Sequence, residues 1–215
     1  MSTTGKVAGI VSNLVTVQVD GPVAENELCY IETKGTKLLA EVIKVNADKA
    51  SVQVFESTRG LKGGDKVEFL GRMLEASLGP GLLSSVYDGL QNDLTTMTDV
   101  FLKRGEYTDP LDHEKMWDFT PLAKVGDKVQ AASWLGEVKE GWLPHKIMVP
   151  FRFNGEYTIK SIVEAGSYNI DHVIAVLTDE EGEDVNVTMV QKWPVKVAVK
   201  GYKEKPRPQK IMETG

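Results

Sequence analysis

Between Lys6 and Gly21 the chain reads KVAGIVSNLVTVQVDG, and within it Val15, Val17 and Val19 alternate with Thr16 and Gln18. Alternation at period two puts the valines on one face of an extended strand and the polar residues on the other. The same texture continues: KLLAEVIKVNADKASVQVFE holds two runs joined through Asn46-Ala47-Asp48-Lys49, and GGDKVEFLG closes the set. Strands this short and evenly spaced, punctuated by turn residues, predict a small closed β barrel over the first seventy residues, because closure removes exposed edges.

From Gly71 the period changes. Leu82, Leu83, Val86, Tyr87 and Leu90 recur at three- and four-residue steps, which predicts an amphipathic helix. Gly79-Pro80-Gly81 sets its start, since proline cannot continue a preceding helix and glycine tolerates left-handed angles. A second short helical pattern is expected in TTMTDVFLKRG, ending at Gly105. Strand patterning resumes from about Thr120 to Gln191, in runs separated by Gly-Asp, Asn-Gly and Glu-Gly turns, and predicts a second all-β unit. The tail KGYKEKPRPQKIMETG is basic, bears proline and lacks a core of its own, so it reads as a linker. The expected fold class is mainly β, with a closed barrel, a short helical connector and a second, barrel-sandwich-like domain.

With 25 Lys and Arg against 31 Asp and Glu, the net charge of −6 provides no overall field to draw in a polyanion, and nucleic acid is not an expected partner. Cys29 is the only cysteine, which excludes an internal disulfide and every multi-cysteine metal site. The N-terminus lacks a basic start followed by an apolar run, and no stretch approaches a membrane span, so direct membrane insertion is not expected.

The glycine-rich stretch SLGPGLLSSVYDGLQNDL invites comparison with a phosphate loop. Pro80 removes a backbone donor, however, and the nearest downstream lysine is Lys103. Gly60-Leu61-Lys62-Gly63-Gly64-Asp65-Lys66 has glycines and lysines, yet no Ser or Thr follows Lys66 and a strand, not a helix, comes next. His113, His145 and His172 are scattered without ligand or triad spacing. The acidic run Asp179 to Asp184 lacks alternating calcium ligands and is expected at a hairpin tip. No catalytic, cofactor-binding or metal-binding residue is nominated by these patterns.

The segment from Val125 to Leu177 resembles the barrel-sandwich hybrid of lipoyl and biotinyl carrier domains, with a Gly-Asp turn, a hairpin around Lys146 and a second half after a glycine turn. In those carriers the modified lysine stands at an exposed hairpin. Lys146 here lies in His-Lys-Ile-Met, whereas the biotin pattern flanks lysine with methionine on both sides, so the likeness is topological rather than chemical. A carrier, or a generic adaptor of β modules, is the alternative reading.

A broader resemblance spans nearly the whole chain. Gly21-Pro22-Val23, VFESTRGLKGGD from Val54, LGPGLLSSVYDGLQ from Leu78, HKIMVP from His145 and QKWPVK from Gln191 stand in family order. Together they resemble the N-terminal part of the catalytic A subunit of rotary V-type and A-type ATPases; the Leu-Gly-Pro-Gly block is the most specific. The resemblance implies a barrel over 1–70 that joins neighbouring A and B subunits, and a connector over 71–109 with one or two short helices. It implies an A-subunit insertion or bulge over 110–191, associated with peripheral-stalk contacts, and a linker over 192–215 toward a nucleotide-binding domain.

ATP and Mg are expected to belong to that domain, so the resemblance transfers no catalytic residue here and predicts that this stretch alone is inactive. It assigns a structural turn and connector to Gly79, Pro80, Gly81, Leu82, Val86, Asp88, Gly89, Leu90 and Gln91, with Leu82, Val86 and Leu90 packing toward the nucleotide domain. Trp117, Phe119, Trp142 and Lys146 are possible interface residues. Asn92-Asp93 departs from the Arg-Pro usual after the glutamine. The implied function couples ATP hydrolysis or synthesis to proton or sodium transport, within an alternating hexameric ring of A and B subunits. The implied location is cytoplasmic, peripheral to the membrane.

Overall fold

A computed structural model describes residues 3–95 and 104–199, together with 204, 207 and 209. The described residues form two units, one within 3–75, 104–107 and 194–196, the other within 76–95, 108–193 and 197–199. All regular structure among them is β.

In the first unit, β1 (Thr4–Val11), β2 (Leu14–Val19), β3 (Leu28–Thr33), β4 (Thr36–Asn46), β5 (Lys49–Val54) and β6 (Lys66–Phe69) close into a barrel in the order β1-β2-β5-β4-β3-β6. The inward residues predicted from alternation, Val15 and Val17, are fully buried with Ile31, Leu38, Val52 and Val67, while Val19 packs at the margin of this core. Two-residue turns fix the register: Thr33 pairs with Thr36 across Lys34 and Gly35, and Asn46 with Lys49 across Ala47 and Asp48.

β4 departs from simple alternation because both of its faces are covered between Leu38 and Val42. On the outer face Tyr107 Oη accepts the Leu39 N–H at 2.9 Å and donates to Glu56. Gly105 N–H also reaches Glu56, at 2.8 Å. The buried Glu41 finds its counter-charge in Lys196, whose ammonium donates to Asn26 Oδ1 at 3.0 Å and lies 2.7 Å from Glu41 Oε1 as a charge pair without hydrogen-bond alignment. A polar strand residue is thereby tolerated inside because a distant segment neutralises it.

The second unit contains β7 (Glu75–Leu78), β8 (Trp117–Pro121), β9 (Lys128–Val129), β10 (Trp134–Glu140), β11 (Leu143–Met148), β12 (Tyr157–Ile162), β13 (Gly166–Tyr168), β14 (Ala175–Thr178), β15 (Asp184–Val187) and β16 (Gln191–Pro194). Its sheets run β11-β10-β8-β13 and β15-β14-β12-β9, with β7 paired to β16. Phe119, Leu135, Ile159, Ile170, Ile174 and Leu177 anchor one apolar core. Gly136 permits the β8–β10 approach: a Cβ there would fall 2.3 Å from the Phe119 ring and 2.7 Å from the Thr120 carbonyl. The acidic run forms the β14–β15 tip, where Asp179 Oδ1 accepts the N–H groups of Glu181 and Glu183 at 2.9 and 2.8 Å.

The helix expected over Leu82 to Leu90 does not form. Gly81, Ser84 and Gln91 have φ of 111°, 64° and 65°, and the stretch instead folds as an irregular loop closed by Tyr87 pairing with Asp93. Side-chain carboxylates bind backbone amides along this stretch. Asp88 Oδ1 accepts the N–H of Leu90 at 2.9 Å and of Asn92 at 2.8 Å, while the Leu83 N–H goes to Glu140. Val86 is consequently 60% exposed instead of lying on a helix face with Leu82 and Leu90. The second helical pattern falls mainly on 96–103, outside the described residues, as does most of the tail.

Candidate functional site

The Gly79-Pro80-Gly81 turn follows β7, and its geometry answers whether it can cradle an anion. It does, but the anion is the protein's own. Glu140, at the end of β10 and 5% exposed, accepts the Gly81 N–H at 2.7 Å and the Leu83 N–H at 3.1 Å through Oε1. Its Oε2 receives Nδ1–H of His145, from the neighbouring β11, at 2.6 Å. The Gly81 and Leu83 amides, separated by one residue, converge on one carboxylate oxygen, and the imidazole completes the carboxylate's shell. Because β10 and β11 pair in the register Val138–His145, the strand hairpin presents Glu140 and His145 on neighbouring positions.

Further along the loop, Gln91 substitutes for a strand. Its amide accepts the Ser77 N–H and donates to the Ser77 carbonyl, both at 2.8 Å, reproducing the two-bond pairing of a ladder residue on the edge of β7. Asp88 organises its own corner, adding a bond from Asn92 Nδ2 at 2.8 Å to those from the backbone. Tyr87 donates to the Pro110 carbonyl at 2.9 Å, and its phenol is held above its ordinary pKa chiefly by burial. Leu82 packs against the unit's core, Leu90 is half-buried, and Gly89 lies in the turn after Asp88. Gly81, Asp88 and Gln91 thus carry the hydrogen bonds of this corner, Leu82 packs beneath it, and Val86 projects from it.

The four aromatic and lysine candidates separate. Trp117 and Phe119 are core residues, 6% and 1% exposed, so alternation along β8 removes them from any interface. Trp142 occupies the β10–β11 turn and is 65% exposed. Lys146 lies within β11, ion-paired to Glu137 with its ammonium 5.0 Å from the Trp134 ring centre, and does not stand at the hairpin tip. A carrier lysine needs a free, protruding amine; a strand residue held in a salt bridge over an indole is a poor one. Sequence reasoning passed over Glu140 and found no ligand or triad spacing for His145; the Gly81 amide that Glu140 accepts lies 59 residues away and leaves no local signature.

Among the described residues no group of three or more His, Cys, Asp or Glu side chains converges to hold a metal. No helix among them is long and apolar enough to cross a membrane. The Cys29 thiol is buried in the barrel and pushed up to about 12 by desolvation, with the Glu27 charge adding to the effect, so it stays protonated and unreactive.

Residues 7–71 match the family described as ATP synthase alpha/beta family, beta-barrel domain. Residues 108–196 match the ATPsynthase alpha/beta subunit barrel-sandwich domain. V-type ATP synthase alpha chains are similar along the full length. That of Borrelia garinii subsp. bavariensis is 46% identical over 217 aligned residues, covering 100% of this chain and 38% of the relative. The Treponema denticola chain is 46% identical over 215, covering 99% and 36%, and the Borrelia recurrentis chain 47% over 217, covering 100% and 38%. The chain therefore spans little more than a third of these curated relatives.

Proposed function

Because the chain belongs to the ATP synthase alpha/beta family, with that family's barrel and barrel-sandwich domains in order, we propose that it is the N-terminal part of the catalytic A subunit of a V-type/A-type rotary ATPase. In this reading the whole subunit couples ATP hydrolysis or synthesis to proton or sodium transport, and this part serves ring assembly and peripheral-stalk contact. The observation that carries it is full-chain similarity to V-type ATP synthase alpha chains at 46% identity.

Nucleotide chemistry belongs elsewhere in such an assembly. The chain has no Gly-x-x-x-x-Gly-Lys followed by Ser or Thr, and its glycine turn is filled by Glu140. The residues present do not fit ATP with Mg, and no step of hydrolysis is assigned to them. A closed barrel suits a rigid assembly collar, since its backbone groups are paired around the ring and only side chains remain to make contacts. Val11, Leu14, Ile43 and Phe55 are exposed apolar residues on the barrel unit that offer such contacts to B subunits. Trp142 on the second unit offers one to a stalk. The corresponding location is the cytoplasmic face, peripheral to the membrane.

Two measurements test the proposal. Native mass spectrometry of this chain mixed with the B subunit should show a complex weakened by Val11→Asp together with Phe55→Asp. ATP turnover by this chain alone should be nil; turnover, or no complex with B, would overturn the reading.

A further inference from the structure

Two loops of the second unit meet at a single imidazole. His113 Nδ1 lies 2.6 Å from Asp171 Oδ2, and its Nε2 lies 3.0 Å from Asp109 Oδ2. A neutral imidazole carries one N–H and one bare lone pair, and a lone pair turned on a carboxylate oxygen repels it. Both contacts are attractive together only when the ring is protonated. Asp109 and His113 belong to the loop that leads into β8, whereas Asp171 lies in the loop between β13 and β14.

Neither loop needs the imidazole for its place. Leu111 on one side and Ile170 on the other are buried in the unit's core. Asp109 Oδ1 accepts the Leu111 N–H at 3.1 Å, and Asn169 Oδ1 accepts the His172 N–H at 3.0 Å. The bridge is a titratable addition to loops already seated by apolar burial.

The other charged and titratable groups on these loops are engaged elsewhere or exposed. Asp112 Oδ1 accepts the N–H groups of Glu114 and Lys115 at 2.9 and 3.1 Å. The Lys115 ammonium sits 4.2 Å from the Trp117 ring centre, His172 stacks on Tyr168 at 4.7 Å, and Glu114 faces solvent. This leaves Asp171 and Asp109 as the charges acting on His113. They hold its pKa above the ordinary imidazole value, Asp171 most strongly, against a smaller opposing effect of burial.

We propose that Asp109, His113 and Asp171 form a pH-operated clasp, held by both carboxylates when His113 is protonated and weakened to a single N–H contact beside a repelled lone pair when it loses its proton. A folded-state pKa raised above the unfolded one gives stability that is fully present below about 6.5 and is lost as pH rises through the raised value. The groups are largely exposed, so the loss of one of the two contacts loosens Leu111 to Met116 without unfolding the unit. The inference rests on this geometry and does not depend on the family's function.

The test uses the full chain with labelled imidazoles, titrated by NMR from about pH 5 to about pH 9. His113 should titrate above about 6.5 and fall toward it in Asp171→Asn, with a smaller fall in Asp109→Asn. Amide protection over Leu111 to Met116, corrected for intrinsic exchange, should drop about two- to fivefold across the His113 midpoint. In His113→Gln that protection should be independent of pH. A His113 midpoint at or below the ordinary value, or the same drop in His113→Gln, would overturn the clasp. Should His113→Gln fail to fold, Asp171→Asn alters only an exposed carboxylate, and a His113 midpoint that does not move in that variant would overturn the clasp equally.

Discussion

Glu140 shows how much one side chain can organise without any local clue. In the sequence it is one charged residue in a strand that reads Gly-Glu-Val-Lys-Glu, where period two places it on the face of Val138 while its charge favours solvent. Its burial follows from three donors converging from the turn after β7 and from β11. Glu140→Ala leaves two backbone amides and an imidazole unpartnered in a buried place, and should destabilise the unit by about 2–4 kcal/mol. Urea denaturation followed by tryptophan fluorescence measures it. Glu140→Gln, which keeps one carbonyl acceptor, should lose less; an equal loss would mean that volume, not hydrogen bonding, is what Glu140 supplies.

Strands were legible in this sequence because period-two alternation is a local property. Val15 and Val17 inward with Thr16 and Gln18 outward needed no knowledge of partners. The three-to-four spacing from Leu82 to Leu90 was equally local and misled, because a helix must keep its amides for its own carbonyls. Asp88 sits two residues before Leu90 and four before Asn92, well placed to capture both, and the letters DGLQN carry that competition alongside the apolar period. Asp88→Ala should lower stability by about 1–2 kcal/mol through the lost loop bonds. It should not raise helicity in far-UV circular dichroism, since Ser84 and Gln91 remain left-handed and Glu140 still holds Leu83. A clear gain in helicity would show that Asp88 alone suppresses the helix.

Across the whole molecule, the two units share a device that the sequence showed as Gly-Asp-Lys-Val at Gly64 and again at Gly126. Both glycines have φ of 90°. Asp65 Oδ2 accepts the Lys62 N–H and Asp127 Oδ2 the Lys124 N–H, each at 2.8 Å, immediately before β6 and β9. Similar turn chemistry therefore launches a strand in each domain. The covered outer face of β4 was not legible, because its cover comes from Tyr107 and Lys196, remote in sequence. Lys196→Met should cost the barrel about 1–3 kcal/mol by leaving Glu41 charged without its partner, less than for a fully enclosed pair because Lys196 is partly exposed. Hydrogen exchange should quicken in β4 and stay unchanged in β10; equal quickening in both strands would count against the assignment.

The glycine turn that holds the Glu140 carboxylate has one more implication. A loop of free amides beside phosphate-rich solutes would change shape with their concentration, acting as an unintended sensor. With a tethered carboxylate in residence at the effective concentration of a neighbouring strand, a dissolved anion must compete against an occupant that cannot diffuse away. The corner after β7 thus carries its own anion, and its two amides stay engaged without any drawn from solution.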